Sequence, residues 1–153
     1  MADKTNHNDI ARAKALLHGN DYTFAAVCGD KSFTDTERGV KPLLKLIDSG
    51  ESLSGYHAAD RVIGKGAAFL YVLLGACGIY ADVISKPALN VLQNSGVTVE
   101  YAAVAEHIIN RKGDGICPIE QAVADVDDAA AALPIIRQTL KNLQSSNKSD
   151  KNA

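Results

Sequence analysis

An uncharged run of 16 residues, 66–81, limits the folds open to this chain more than any other feature. A helix that spans a bilayer needs about 20 apolar residues, and Gly75 and Gly78 also interrupt the run. The run therefore predicts a helix that is buried on every side and leads into a buried strand. Such a segment needs cover from its neighbours, which a chain of 153 residues can supply within one domain.

Periodicity and turn residues predict the elements on either side of this run. We expect helices over residues 9–19, 41–48, 58–76, 101–109 and 127–143, one between Ser85 and Gly96, and a helical turn from Pro118. We expect strands over residues 22–28, 31–35, 79–84 and 97–101. A hairpin followed by βα units predicts an α/β fold of three α-β-α layers, with a mixed sheet of about four to five strands.

The ends and the net charge restrict the partners of the chain. Residues 1–8 and 144–153 are polar and are expected to be disordered tails around a single domain, residues 9–143. The N-terminal segment lacks the apolar centre of a signal peptide, which favours the cytoplasm. Because the formal net charge is -2, no basic field would attract nucleic acid, and we expect neither a nucleic acid nor a membrane partner.

Three cysteines, Cys28, Cys77 and Cys117, are widely spaced and form no CxxC pair. This pattern predicts reduced thiols in a reducing compartment rather than a disulfide framework. The apolar context of Cys28 and Cys77 predicts that both lie in the core.

Three stretches carry a resemblance to a known family. They are residues 38–44 (RGVKPLL), residues 58–65 (AADRVIGK) and residues 108–120, which begin with IINR and end with CPIE. From residue 9 to residue 140 the chain resembles a bacterial family of domains of unknown function, number eighteen-ninety-three. The resemblance implies a cytidine-deaminase-like fold and carries no established activity.

The resemblance can be tested on the zinc ligands that a deaminase needs. A zinc deaminase has a His or Cys ligand and a catalytic Glu at one helix start, and Pro-Cys-x-x-Cys at the next. The first predicted start reads HAAD from His57, with the carboxylate one residue late, and the second reads PALNV from Pro87, with Ala and Val in the cysteine places. We therefore expect no metal, no other cofactor and no zinc-dependent deamination.

Asp60 and Lys65 are the first candidates for chemistry, both on the predicted central helix. Asp60 in the first turn either interacts with the helix dipole or forms the floor of a pocket beyond the strand ends. Lys65 is either a snorkelling side chain near Arg61 or a desolvated amine that holds a phosphate or activates a substrate. The flanking Gly64 and Gly66 permit close approach by a ligand or by another helix.

Several further residues are candidates for ligand binding. Arg38 and Lys41 precede a helix N-terminus, an arrangement that suits an anion, although a solvated charge pair is the alternative. His57 lies at a predicted loop–helix junction and is either a general base or a packing residue. Asn110 and Arg111 either close over a pocket or cap the preceding helix.

Cys117 and Glu120 begin the helical turn at Pro118. A thiol at a helix N-terminus has a lowered pKa, which would suit a nucleophile or a redox-sensitive group. Glu120 would then be a base, or would close a capping box. The alternative for Cys117 is a small buried residue at a turn.

Functions from different classes fit these residues, and they leave open whether the chain is an enzyme. One is a binding module that holds a nucleotide-like or other anionic small molecule without a catalytic zinc. Another is a metal-independent enzyme with Asp60 or Glu120 as acid and base. In that enzyme Lys65 and Arg38 would hold the substrate, and Cys117 would be a nucleophile. A third is a homo-oligomer whose distinctive residues line an interface.

Overall fold

The computed structural model describes residues 2–110 and 112–152, and the side chains of residues 9–110 and 112–144. The described part of the chain forms six helices and five strands. In chain order they are α1 (Ala2–His18), β1 (Phe24–Cys28), β2 (Lys31–Asp35), α2 (Lys41–Asp48), β3 (His57–Ile63), α3 (Lys65–Leu74), β4 (Gly78–Ser85), α4 (Lys86–Asn94), β5 (Thr98–Ala105), α5 (Pro118–Ala122) and α6 (Ala129–Asn152).

The five strands form one mixed sheet in the order β2-β1-β3-β4-β5. β1 pairs antiparallel with β2 and β3, whereas β4 pairs parallel with β3 and β5. α1 packs against β1, β3 and β4, and its apolar side chains form one core with Ala25, Val27, Ala59 and Tyr80. A larger core joins the sheet to α2, α3 and α4. This arrangement confirms the predicted three-layer α/β fold with a mixed sheet.

Local sequence signals account for the elements that were predicted with their bounds. β2 and α2 occupy residues 31–35 and 41–48, as expected from the turn at Gly29 and from Pro42 in the first helical turn. The Ser85 side chain caps α4 by accepting a hydrogen bond from the Ala88 amide at 3.2 Å. α3 ends at Gly75, whose φ of 82° is left-handed.

The prediction of one long helix over residues 58–76 is wrong. Residues 57–63 form β3, in the centre of the sheet, and the helix begins only at Lys65. Ala58 and Ala59 favour a helix, but intrinsic propensity is small in free energy, and pairing with strands on both sides outweighs it here. Gly64, with an extended backbone at φ -96° and ψ 177°, separates the two elements. The expected burial of α3 is confirmed, except that Leu73 is 40% exposed and Val72 is half-buried.

The helix predicted over residues 101–109 is also wrong, because β5 continues to Ala105. Residues 108–110 and 112–117 then form a hairpin-like loop in which Ile109 bridges Ile116. Parallel pairing along the whole of β4 holds the alanines of β5 extended.

The assignment of residues 9–143 to one domain with two polar tails stays a prediction. No helix in the described ranges combines the length and the hydrophobicity that crossing a bilayer requires.

Candidate functional site

A cavity of about 400 Å³ opens at the carboxyl end of β3 and is called the β3-end cavity below. The loop before α2, the first turn of α3 and the segment around α5 surround it. Its lining consists of Thr23, Arg38, Gly39, Val40, Asp60, Arg61, Val62, Gly64, Gly66, Ala67, Ile108, Cys117, Ile119 and Glu120. Its volume falls in the range of sites for small molecules, and most of its walls are apolar.

Asp60 is the buried acid of this cavity. It lies on β3 between Phe24 of β1 and Ala81 of β4, and only 7% of it is exposed. The Tyr71 hydroxyl donates a hydrogen bond of 2.7 Å to Asp60 Oδ2. Burial raises the pKa of Asp60 to about 7, although the hydrogen bond from Tyr71 opposes the rise. Asp60 can therefore take up or release a proton near neutral pH.

Arg38 supplies a positive charge to the same cavity. It is exposed, lies on the loop between β2 and α2, and has no ion-pair partner among the described residues. The neighbouring α2 has Val40 as its N-cap, without a side-chain cap and without an acidic residue in its first turn. A guanidinium and a helix N-terminus on one wall of a cavity attract an anion.

Lys41 and His57 do not line this cavity. The Lys41 ammonium lies 3.9 Å from Glu37 in an exposed ion pair. His57 is buried on β3, three residues from Asp60 and therefore on the other face of the strand. There it packs so closely on Gly78 that a Cβ added to the glycine would lie 2.7 Å from the imidazole Cδ2 atom.

Lys65 faces away from Asp60, so the structure separates the two main candidates. Its ammonium donates a hydrogen bond of 2.8 Å to the Ala124 carbonyl and lies 5.6 Å from the centre of the Phe69 ring. The side chain lines a second cavity, of about 630 Å³, which Asp127 also lines. This geometry therefore does not favour an enzyme in which Asp60 and Lys65 act on one substrate.

Glu120 is buried, with 3% exposed, and connects three segments of the chain. Its Oε2 atom accepts hydrogen bonds from the Lys65 amide at 2.7 Å and from the Ser85 hydroxyl at 3.1 Å. Its Oε1 atom accepts one from the Ile108 amide at 3.1 Å. The carboxylate thus joins the first turn of α3, the cap of α4 and the loop after β5. These bonds assign Glu120 a structural role, but not the capping box offered as an alternative, because the Cys117 amide donates to the Ile108 carbonyl instead.

Gly64 and Gly66 are required by packing against the α5 segment. A Cβ on Gly64 would lie 2.5 Å from Glu120 Oε2, and one on Gly66 would lie 2.5 Å from Ile119 Cγ2. Of the two alternatives for these glycines, close approach by another part of the chain is the one that the structure contains.

Cys117 lines the β3-end cavity and is half-buried. It is the N-cap residue of the five-residue α5, without a side-chain cap hydrogen bond. The prediction that Cys77 lies in the core is wrong, since Cys77 is exposed in the turn between α3 and β4. Cys28 is half-buried.

Asn110 shapes the loop before α5. Its Oδ1 atom accepts hydrogen bonds from the Gly113 and Asp114 amides at 2.8 and 3.2 Å, and its Nδ2 atom donates to the Asp114 carboxylate at 2.9 Å. This is the role of a turn residue. Arg111, the other candidate of this pair, lies outside the described residues.

Two residues of the site were missed from the sequence. Tyr71 bonds to Asp60, and Ser85 bonds to Glu120 as well as capping α4. The signal for Tyr71 was a hydroxyl within an otherwise apolar helix, because a buried phenol needs a hydrogen-bond partner. The partner itself could not be identified while Asp60 was placed on the same helix.

The first helix start compared with the zinc motif lies elsewhere in the structure than predicted. His57 and Asp60 lie on β3, so the comparison of HAAD with a helix start is wrong. The two consecutive helices begin at Lys65 and Lys86, and neither residue is followed at once by His, Cys or Glu. No group of three His, Cys, Asp or Glu side chains in the described ranges is placed to hold a metal ion.

Comparison with known proteins identifies a family and a similar solved structure. The family model described as TM1506, domain of unknown function (DUF1893), matches residues 12–140, which confirms the resemblance found in the sequence. The crystal structure of a DUF1893 family protein (TM1506) from Thermotoga maritima superposes with a TM-score of 0.78 at 29% sequence identity. The match covers 88% of this chain and 90% of that one. No curated protein matches the chain.

Proposed function

We propose that this chain, which belongs to the DUF1893 family, binds a small anionic, nucleotide-like molecule in the β3-end cavity. The observation that carries the proposal is that two complementary groups line one cavity. One is Arg38, with no acidic partner in the described part of the chain, and the other is the buried Asp60.

The two groups suit the two ends of a nucleotide. A phosphate would take charge-assisted hydrogen bonds from the Arg38 guanidinium, close to the uncapped N-terminus of α2. The Asp60 carboxyl, as an acid or as a carboxylate, can pair with the ring nitrogen and amino groups of a base. The second buried acid, Glu120, already accepts three hydrogen bonds from the chain and is not needed for the ligand.

The walls between these groups are apolar. Val40, Val62 and Ala67 line the cavity together with Ile108 and Ile119. Such walls suit the flat faces of a heterocycle rather than a free inorganic ion, whose hydration they could not replace.

The cytidine-deaminase-like fold that the resemblance implies is compatible with this ligand class. We propose that the chain holds such a ligand without deaminating it through zinc, because the starts of α3 and α4 do not carry the His, Cys and Glu pattern of that reaction.

The test is a thermal-shift and calorimetry comparison of nucleoside monophosphates with the matching nucleosides. A ligand at a hundred times its Kd stabilises by about 2.7 kcal/mol, which raises the Tm of a domain of this size by several degrees. We expect nucleotides to stabilise the protein more than nucleosides do. Arg38→Gln should weaken nucleotide binding by roughly 10- to 100-fold, as expected for a lost charge-assisted hydrogen bond.

Lys41→Gln is the matched control, because it removes the same charge three residues away, outside the cavity lining. It should leave nucleotide binding unchanged, while Asp60→Asn should alter the preference among bases. The proposal fails if nucleotides stabilise the Arg38→Gln variant as much as the wild type, or if no nucleoside monophosphate binds.

A second candidate function is an enzyme that acts without a metal. It is favoured by one specific observation, namely that Asp60, with its pKa of about 7, lines the same cavity as the thiol of Cys117. Asp60 would transfer protons and Cys117 would attack the substrate.

Alkylation by iodoacetamide tests the role of Cys117 with an internal reference. Cys77 is exposed in the same molecule and reports the rate of an ordinary thiol. Faster alkylation of Cys117 than of Cys77, suppressed by a bound nucleotide, would support the enzyme. Cys28, which is half-buried as Cys117 is, serves as the reference for access. Alkylation of Cys117 no faster than that of Cys28 would argue against an activated nucleophile and leave the binding proposal unaffected.

A further inference from the structure

We infer that β5 pairs antiparallel with the β5 strand of a second copy of this chain, with Ala102 at the two-fold axis. β5 is the last strand of the sheet and runs for eight residues beside β4. No strand of the described chain lies along its outer side. Its outward N–H and C=O groups are therefore available to another strand.

The two edges of the sheet differ in how they are protected. β2 at the other edge is five residues long and begins and ends with charged residues, Lys31 and Asp35. β5 has no charged residue from Tyr101 to Ala105 and contains no proline. Soluble proteins protect a free edge with short strands, charges, prolines or bulges, and β5, which is long and carries one charge at Glu100, is less protected than β2 and suits a partner strand.

Exposed apolar side chains gather at the same edge. Six large apolar side chains are exposed in the described part of the chain. Four of these six belong to β5 or to the hairpin-like loop that follows it: Tyr101, Val104, Ile109 and Ile116. Tyr101 and Val104 are three residues apart on β5 and therefore lie on its two faces, so exposed apolar side chains flank the free edge on both sides, as at a contact surface between proteins.

In a pair of identical chains, symmetry, side-chain size and charge favour one register of β5 over the next. Two-fold antiparallel pairing sets one residue opposite its own copy and pairs the residues on either side reciprocally. An axis at Ala102 sets the large Tyr101 opposite the small Ala103. An axis one residue later would set Glu100 opposite Glu106, and directly opposed like charges are destabilising.

Ala102 provides a charge-swap test on the full-length chain, because its side chain is exposed and tolerates substitution. Sedimentation equilibrium of the wild type should give twice the chain mass of 16.2 kDa. Ala102→Lys and Ala102→Glu should each raise the dimer Kd by at least about tenfold, because each sets like charges opposite each other. An equimolar mixture of the two variants should recover the dimer, which would also show that both are folded.

Thr34→Lys, at the exposed opposite edge, is the control and should leave the dimer intact. A wild type that is monomeric at every concentration overturns the inference. So does an Ala102→Lys variant that associates as tightly as the wild type, or a mixture that stays monomeric. None of these outcomes depends on a ligand in the β3-end cavity.

Discussion

The hydroxyl of Tyr71, in the middle of α3, donates a hydrogen bond of 2.7 Å to the carboxyl of Asp60 on the central strand β3. Both side chains are buried, and burial raises the pKa of Asp60 to about 7 and that of Tyr71 well above its usual 10.0. The pair is therefore a neutral phenol facing an acid that ionises near physiological pH. This relationship gives the protein a specific dependence of stability on pH.

Ionisation of Asp60 should destabilise the protein as the pH rises. Its carboxyl has a pKa of about 7 when folded and 3.8 as the reference value, so the folded state binds the proton more tightly. The stabilisation by the protonated carboxyl is complete below pH 3.8, declines between pH 3.8 and about 7, and is lost at higher pH. The free energy of unfolding changes by about 4 kcal/mol over this range. The free energy of unfolding of Asp60→Asn, relative to that of the wild type, should therefore increase as the pH rises from 4 to 7. Urea unfolding at several pH values measures this difference.

Asp82→Asn is the control with the opposite sign. Burial raises the pKa of Asp82, but hydrogen bonds from Tyr80 and His18, together with the charges of His18 and Arg61, outweigh it and lower the pKa. Its stabilisation is present at neutral pH and is lost as the pH falls below the usual range of Asp. A flat difference between Asp60→Asn and the wild type across pH 4–8 would contradict the assignment.

Tyr71→Phe should move the titration of Asp60 to higher pH. The hydrogen bond from Tyr71 lowers the pKa of Asp60, so its removal raises that pKa further. The loss of stability should be larger at pH 8 than at pH 5, roughly 1.5–3 kcal/mol at the higher pH, because the ionised carboxylate loses a charge-assisted bond. NMR titration of the Asp60 carboxyl carbon measures the shift directly, and a lower pKa in the variant would refute it.

Glu120→Gln should destabilise the protein although it conserves shape. The amide can accept through only one oxygen, so at least one of the three donors bound to Glu120 loses its partner in a buried place. The expected loss is about 2 kcal/mol or more in the free energy of unfolding. Glu106→Gln, at an exposed ion pair with Lys86, should cost much less, because water and salt screen that pair. Equal effects of the two changes would argue against the structural role of Glu120.

Gly66→Ala should destabilise the protein by crowding. Whether the substitution lowers or raises the free energy of unfolding should depend on the side chain at position 119. The added Cβ would lie 2.5 Å from Ile119 Cγ2, and overpacking of this kind costs about 1–3 kcal/mol. In an Ile119→Ala background the obstacle is gone, and alanine is the better helix former by up to about 1 kcal/mol. A double-mutant cycle by urea unfolding measures the coupling between the two positions. Additive effects would mean that the close approach is relieved elsewhere.

How far the candidate site could be predicted differs from residue to residue. The sequence identifies three residues of the cavity lining, Arg38, Cys117 and Glu120, because each is a charged or reactive residue close to a helix start. Glycine and proline mark those helix starts in the sequence. The sequence assigns Lys65 to the same site as Asp60 because it predicts both residues on one helix. With β3 and α3 as separate elements, the ammonium points to a different cavity.

The sequence by itself determined the fold class, the hairpin of β1 and β2, the capped α4 and the burial of α3. These features follow from local signals: apolar periodicity, turn residues and a Ser cap that acts within its own turn. Only the tertiary structure decided that residues 57–63 are a strand. The helix preference of Ala58 and Ala59 is overridden there, because the strands on both sides supply the hydrogen bonds of the segment. The same holds for Glu120, whose three donors come from segments brought together only by folding.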